Sequence, residues 1–143
     1  MSIQAILYTK GSDVVTISPK ASVKSAADKL SERKIAALVV TEGDSILGVV
    51  SEREIVRAYA QHGAAVGGMT VRDIVSADIV SVTPEDSLKR AMSLMTRHRK
   101  RHLPVLRDGR LAGIVSLGDV VKHRLEDLEL ETNVLRDAYI AVH

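Results

Sequence analysis

Two serine–carboxylate pairs are the residues of this chain whose types and spacing could do chemistry. Ser51 is followed three positions later by Glu54, and Ser116 is followed in the same way by Asp119. Each serine closes a short apolar run that starts with glycine, Gly48-Val49-Val50 in one case and Gly113-Ile114-Val115 in the other. An apolar run that ends in serine and continues as an amphipathic segment predicts a strand leading directly into a helix N-terminus.

Such a helix start can serve two purposes. Ser-x-x-Glu is the capping-box pattern, in which both side chains satisfy backbone N–H groups of the first turn. The same helix start also offers free N–H donors and a positive dipole end to a phosphate. A carboxylate on the first turn can accept hydrogen bonds from a ribose diol, as acids do in dinucleotide sites. The residues alone leave both roles open, but the duplication favours a ligand-binding role.

The chain repeats itself without a gap. When Ser51 is laid over Ser116, Val15-Thr16-Ile17-Ser18-Pro19 falls over Val80-Ser81-Val82-Thr83-Pro84, and Leu38-Val39-Val40 falls over Leu103-Pro104-Val105. Shared Pro, Gly and Ser landmarks make chance matching of aliphatic residues a poor explanation. Each copy has the pattern strand–helix–strand–strand–helix.

One copy is too small to bury both faces of its sheet, so the two copies should pack together. We therefore predict an α/β fold of two tandem strand–helix–strand–strand–helix repeats with pseudo-two-fold symmetry. Residues 1–67 form the first repeat with an N-terminal segment, residues 68–125 form the second, and residues 126–143 form a helical tail. In the tail an apolar stripe could pack on its own module or form a subunit contact; its members are Leu128, Leu135, Ala138, Tyr139 and Val142.

Composition narrows the class of protein. The chain has 143 residues, 45% hydrophobic, with no Cys and a net charge of +2. No disulfide, thiolate metal site or cysteine nucleophile is available, and no apolar run approaches the roughly 18 residues of a membrane span. Phosphate-binding glycine loops, zinc-protease motifs and serine-nucleophile elbows are absent from the sequence. We expect a cytoplasmic, non-enzymatic protein that does not associate with membranes.

A basic run, Arg97-His98-Arg99-Lys100-Arg101-His102, precedes one of the predicted strands. Most of it suits a solvated helix end. His98 and His102 have a spacing seen in metal sites, but the cations between them disfavour a dication, so we predict no metal. The run could bind nucleic acid through phosphates, but no aromatic residues accompany it for base stacking. Nucleic acid is therefore an unlikely partner at this stage.

The repeated motif resembles a known family. Gly-Val/Ile-Val-Ser-x-x-Asp/Glu, preceded by Leu103-Pro104-Val105 and Thr83-Pro84, is similar to the cystathionine-β-synthase (CBS) domain. Two tandem copies over residues 3–125 resemble a CBS pair, or Bateman module. The resemblance implies binding of an adenine nucleotide between the repeats, AMP first, with ATP or NAD(H) as alternatives. It also implies a homodimer with four repeats in a disc and a separate effector protein.

The resemblance also implies two sets of site residues. In the first, Ser116 and Asp119 hold phosphate and ribose, and the sugar and adenine are framed by Ser18, Val23, Ile35 and Ala36. The mirror set comprises Ser51, Arg53, Glu54, Thr83, Leu88, Lys100, Arg101 and His102. Glu54 departs from the family's aspartate, so we expect the Asp119 site to be the better one. The alternatives are a scaffold protein with vestigial clefts, or nucleic-acid binding through Arg97–His102.

Overall fold

Helices and strands follow one another in the predicted order in the computed structural model, which describes residues 1–142; His143 and the side chain of Val142 lie outside the described residues. The first half contains α1 (Ile3–Lys10), β1 (Thr16–Ile17), α2 (Val23–Arg33), β2 (Ala37–Glu42), β3 (Ser45–Ser51) and α3 (Glu52–His62). A 3₁₀ turn (Gly63–Gly68) and α4 (Val71–Ile74) connect the halves. The second half contains α5 (Leu88–His98), β4 (His102–Arg107), β5 (Arg110–Ser116) and α6 (Leu117–Val142).

The sheets confirm the duplicated α/β fold, with one difference. In the first repeat β1 pairs in parallel with β2, which pairs antiparallel with β3. In the second repeat β4 and β5 form the same hairpin, but the counterpart of β1 is reduced to a single bridge between Val82 and Val105. The cause is Pro104. Its counterpart Val39 donates its N–H to the carbonyl of Val15 at 3.2 Å, and proline has no N–H to donate.

Helices α2 and α5 each direct one apolar face into the core of their own repeat. Val23, Ala26 and Leu30 are buried in the first repeat, and Leu88, Ala91 and Met95 are buried in the second. Both helices start at a serine N-cap: Ser22 Oγ accepts from the Ser25 N–H at 3.0 Å, and Ser87 Oγ accepts from the Arg90 N–H at 3.0 Å. The positions of the helices are thus set by ordinary capping and apolar burial.

The short helix before each repeat packs on the other repeat. Ile3, Ile6 and Leu7 of α1 are buried in the same apolar cluster as Leu88 and Leu103 of the second repeat. The α1 backbone is tied there too, since the Ile3 and Gln4 N–H groups donate at 2.9 Å to the carbonyls of Asp86 and Pro84, respectively.

Helix α4 makes the reciprocal arrangement. Val71 is buried with Leu38 of the first repeat, and its N–H donates to the Ala21 carbonyl at 2.8 Å. The division into residues 1–67 and 68–125 stays a prediction about order along the chain. In space, α1 completes the second core and α4 completes the first.

Candidate functional site in the cleft between the repeats

A cavity of about 630 Å³ opens between the two repeats. One wall is the end of β3 and the start of α3, and the other is the connector before Val82 together with the turn from α5 into β4. The first repeat contributes Ala36, Gly48, Val49, Ser51, Glu52, Arg53, Glu54 and Arg57. The second wall consists of Ser76, Asp78, Ile79, Val80, His98, Arg99, Lys100, Arg101, His102 and Pro104.

Ser51 and Glu54 form the capping box that their spacing predicts. The Ser51 N–H donates to Glu54 Oε2 at 2.7 Å, the Ser51 hydroxyl donates to the same oxygen, and the Arg53 N–H donates to Ser51 Oγ at 3.2 Å. Within residues 1–142, the hydrogen bonds to this carboxylate all go to Oε2. Capping therefore leaves Oε1 with the capacity to accept further hydrogen bonds.

The cavity is rich in cations. Its walls carry five arginine or lysine side chains against the carboxylates of Glu52, Glu54 and Asp78. The Arg53 guanidinium donates to the Arg99 carbonyl at 3.2 Å, and Lys100 Nζ donates to Ser76 Oγ at 3.1 Å. These two bonds join α3 and the connector to the α5–β4 turn. Cations from two elements thus converge on one space, as an anionic ligand requires.

His102 is the cavity residue with a perturbed protonation equilibrium. Burial lowers its pKa below 6.5, and the nearby Glu54 carboxylate opposes that effect without cancelling it. The imidazole is therefore predominantly neutral at pH 7 and can accept one hydrogen bond while donating another. A bound anion would stabilise its protonated form.

The second junction has the same capping box and an additional partner. The Ser116 N–H donates to Asp119 Oδ2 at 2.9 Å, and the Asp119 N–H donates to Ser116 Oγ at 3.0 Å. Lys10 Nζ, at the end of α1, lies 2.7 Å from Asp119 Oδ2 and also donates to the Ile114 carbonyl at 3.1 Å. Burial raises the pKa of Asp119, but the hydrogen bonds from Lys10 and Ser116 outweigh it, and the net pKa is lowered.

The first predicted set is only partly gathered by the fold. Ser116 and Asp119 are together, but Ala36 lines the cavity beside Ser51 and Glu54. Val23 is buried, and Ile35 packs against the core of the first repeat. Ser18 is exposed and accepts from the Lys20 N–H at 3.1 Å. The assignment of these residues to a ligand stays a prediction.

The mirror set is gathered more completely. Ser51, Arg53 and Glu54 face the cavity from one wall, and Lys100, Arg101 and His102 face it from the other. Leu88 lies instead in the core of the second repeat, and Thr83 is exposed, with its N–H donated to Asp86 Oδ2 at 2.8 Å. The cavity is thus at the junction that the sequence ranked second.

Sequence reasoning missed the connector. Ser76, Asp78 and Ile79 line the cavity although they precede the aligned landmarks of the second repeat, which start at Val80. The available signal was Gly48, where a Cβ would lie 2.5 Å from the Ser76 carbonyl oxygen. A glycine in an apolar strand indicates close backbone approach, but the sequence does not say which backbone approaches.

Comparison with known proteins identifies the class. The CBS domain family model matches residues 8–61 and 71–126, so this chain belongs to the CBS domain family and contains two such domains. The fold matches a CBS-domain protein, ATU1752 from Agrobacterium tumefaciens, with 41% identity and a TM-score of 0.84. The match covers 87% of this chain and 99% of that one.

Two further matches differ in length or identity. A mitochondrial CBS domain-containing protein of Arabidopsis thaliana, CBSX3, is 35% identical over 83% of this chain, which spans only 60% of that relative. The CBS pair of protein MJ0100, solved with 5′-methylthioadenosine and S-adenosyl-L-methionine, has a TM-score of 0.75. At 21% identity over 85% of this chain and 98% of that one, it shows the fold alone.

Across residues 1–142, no helix has the length and apolar character needed to cross a bilayer. Over the same range, no group of three or more histidine or acidic side chains is arranged to hold a metal ion.

Proposed function

We propose that this chain is a non-catalytic, ligand-sensing CBS pair that binds an adenine nucleotide in the cavity between its repeats. AMP is the first ligand to test, with ATP and NAD(H) as alternatives. We propose further that it acts as a homodimer in the cytoplasm and signals to a separate effector protein. Two findings support this proposal. This chain contains two CBS domains, and one CBS pair, that of MJ0100, holds adenosine-containing ligands.

The observation that carries the proposal is the convergence of a capped helix start and a cationic turn on one cavity. Its volume of about 630 Å³ falls within the range of about 300–1,000 Å³ usual for small-molecule sites. Arg53 and Arg101 come from opposite walls and can clamp phosphate oxygens between them. The excess of cations over carboxylates favours a phosphate-bearing ligand over an uncharged nucleoside.

The other groups of the cavity suit the rest of a nucleotide. Glu54 Oε1 can accept from a ribose hydroxyl while Oε2 keeps the cap. Ile79, Val80 and Pro104 supply an apolar surface for the base. The extra methylene of Glu54 relative to aspartate sets how far the ribose lies from the helix start.

Coupling follows from the position of the cavity. A ligand held by Arg53 on one repeat and Arg101 on the other stabilises whichever relative position of the repeats suits both contacts. It thereby shifts the population of module conformations, and a partner protein that prefers one of them responds. The scale of the response is limited by the ligand's differential affinity for those conformations.

The test is a thermal-shift panel with AMP, ADP, ATP, NAD, NADH and S-adenosylmethionine. A ligand at 100 times its dissociation constant should add about 2.7 kcal/mol to the stability of the folded state. Arg101→Gln should weaken the shift, whereas Arg97→Gln should not, since Arg97 belongs to the same basic run but does not line the cavity. Glu54→Gln and Asp119→Asn, titrated side by side, identify the junction that binds.

Each negative outcome has a meaning. If no adenine ligand raises the melting temperature, the sensor proposal fails and the scaffold alternative takes its place. If Arg97→Gln and Arg101→Gln weaken binding of a single-stranded oligonucleotide equally and steeply with salt, the basic run serves nucleic acid instead.

A further inference from the structure

Helix α6 has two distinct apolar faces. One packs on its own module: Val120 is completely buried and His123 is 6% exposed. That contact ends near Asp127, whose carboxylate lies 3.8 Å from the N-terminal amine of Met1. The helix continues to Val142, and residues 128–141 are all exposed. At about 1.5 Å per residue, this exposed part extends roughly 20 Å beyond the module.

The second face is a continuous apolar stripe that its own module does not cover. Leu125 is 54% exposed, Leu128 is 42% exposed and Leu135 is 72% exposed. With Val121 and Thr132, these residues recur at alternating steps of four and three. This is a heptad repeat, with Leu125 and Thr132 at position a and Val121, Leu128 and Leu135 at position d. The preceding turn of the same helix adds Leu117, 37% exposed, to the stripe.

We propose that this stripe is covered by α6 of a second copy of the chain, in a parallel, in-register, two-stranded coiled coil. The inference does not depend on nucleotide binding; it specifies a surface and an orientation for the homodimer. The argument for a second copy, rather than another partner, comes from the charges beside the stripe.

Those charges are self-complementary in a parallel pair. Position g holds Arg124 and Glu131, and position e holds Glu129 and Arg136. In a parallel coiled coil, position g faces the e residue five places further along the partner helix. Arg124 then faces Glu129 of the partner subunit, and Glu131 faces Arg136 of the partner subunit. None of these four side chains makes an ion pair within residues 1–142.

No antiparallel register combines this complementarity with coverage of the whole stripe. If Leu125 lies opposite Leu135 of the partner subunit, Glu129 faces its own copy and Lys122 faces Arg136, so like charges meet. If Leu125 lies opposite Leu128 instead, opposite charges meet, because Lys122 faces Glu129 and Arg124 faces Glu131. Leu135 then lies opposite Gly118, however, and stays uncovered. Charge pairing and apolar coverage together therefore favour the parallel pair.

Thr132 is compatible with an interior a position. Its hydroxyl donates to the Leu128 carbonyl of its own helix at 2.9 Å. The hydroxyl therefore keeps a hydrogen-bond acceptor when the coiled coil buries it away from water. A single threonine among leucines also marks one layer of the coil and so disfavours shifted registers.

Single cysteines test the geometry, because the chain has no native Cys. In a parallel, in-register coil each a residue faces its own copy, at a Cα separation compatible with a disulfide. Leu125→Cys and Thr132→Cys should therefore each form a disulfide-linked dimer in a glutathione redox buffer. Leu130→Cys, at the exposed f position, should stay predominantly unlinked. An antiparallel pair brings at most one level of the stripe opposite itself, so linkage at only one site, or at neither, overturns the proposal.

Charge and apolar variants test the energetics in the unlinked protein. Leu128→Asp should weaken dimerisation by about 10-fold or more in sedimentation equilibrium, whereas Leu130→Asp should not. Arg124→Glu should also weaken it, and adding Glu129→Arg should restore it. A monomeric wild-type chain, or an Arg124→Glu defect that is not restored, contradicts the proposal. The nucleotide thermal shifts measure binding in the cavity independently of dimerisation. The proposal of nucleotide binding and the proposal of a coiled-coil dimer can therefore fail separately.

Discussion

Replacing Asp119 by asparagine tests how much the second junction depends on charge. Asparagine keeps the size of the side chain and can still accept from the Ser116 N–H, which lies 2.9 Å from Asp119 Oδ2. The substitution removes the negative charge of Asp119. That charge attracts Lys10 Nζ at 2.7 Å and interacts favourably with the positive dipole end at the N-terminus of α6. The geometry of the helix start is thus preserved while its electrostatics change.

The expected loss is about 1.5–3 kcal/mol. Exchanging charge-assisted hydrogen bonds for neutral ones costs about 1 kcal/mol, and the helix dipole adds about 0.3–1 kcal/mol. Lys10 and Asp119 are 35% and 26% exposed, so solvent screening keeps their direct attraction within about 0.2–1 kcal/mol. For a chain of this length, the loss corresponds to a melting temperature lower by roughly 5–10 °C.

The loss should depend on pH with a definite sign. The folded pKa of Asp119 is lowered from 3.8. At pH values above the ordinary pKa of 3.8, Asp119 is ionised in both the folded and the unfolded chain and contributes its full stabilisation. As the pH falls, the unfolded chain takes up the proton first, and the stabilisation is lost by the time the pH has passed the lowered folded pKa. Wild type and Asp119→Asn should therefore differ at about pH 7 and converge once the pH has fallen below the lowered folded pKa of Asp119.

Urea unfolding followed by circular dichroism at several pH values measures the difference. Asp137→Asn, an exposed change on the same helix, should stay within about 0.5 kcal/mol of wild type. Lys10→Met in a double-mutant cycle isolates the contribution of the ion pair. A difference below about 0.5 kcal/mol at neutral pH, or one equally large in acid, would refute the reasoning.

Two further predictions concern the cavity. Because burial lowers the pKa of His102 below 6.5, the unfolded chain binds more protons than the folded one just below that pH, and stability should fall there as the pH falls. His102→Gln should flatten this part of a urea-derived stability profile, and an unchanged slope would exclude His102 as its source. At Gly48 a Cβ would meet the Ser76 carbonyl oxygen at 2.5 Å, whereas at Gly113 it would meet the flexible Cδ2 of Leu7 at 2.5 Å. Gly48→Ala should cost about 2–3 kcal/mol in thermal or urea unfolding and Gly113→Ala less; the reverse order would contradict these contacts.

Much of the architecture could be predicted because it depends on local patterns. The gapless repeat, the serine caps and the apolar spacing of α2 and α5 each fix an element through contacts within a few residues. The helical tail predicted over residues 126–143 is continuous with the helix that follows Ser116: α6 runs from Leu117 to Val142, because no proline or glycine after Gly118 stops it.

The candidate site was predictable in part. The capping boxes at Ser51 and Ser116 follow from spacing alone, and the basic run supplies the cations of the opposite wall. The assignment of Leu88 to the site conflicts with its own apolar spacing, because Leu88, Ala91 and Met95 recur as one buried helix face, and the structure buries all three in the core. The sequence could not place Ser76 and Asp78, since their contact with β3 depends on the path of the connector.

By itself, then, the sequence determined the repeat, the order of the elements and the two helix starts with their serine and acid. Only the tertiary structure decided which junction opens onto a cavity. Helix α1 crosses to the second repeat, seats Leu7 against Gly113 and brings Lys10 to Asp119. At the first junction the cations of the α5–β4 turn surround open space instead. The physical reason is that the two junctions are equivalent along the chain, whereas the segments that pack against them come from distant positions and differ in charge.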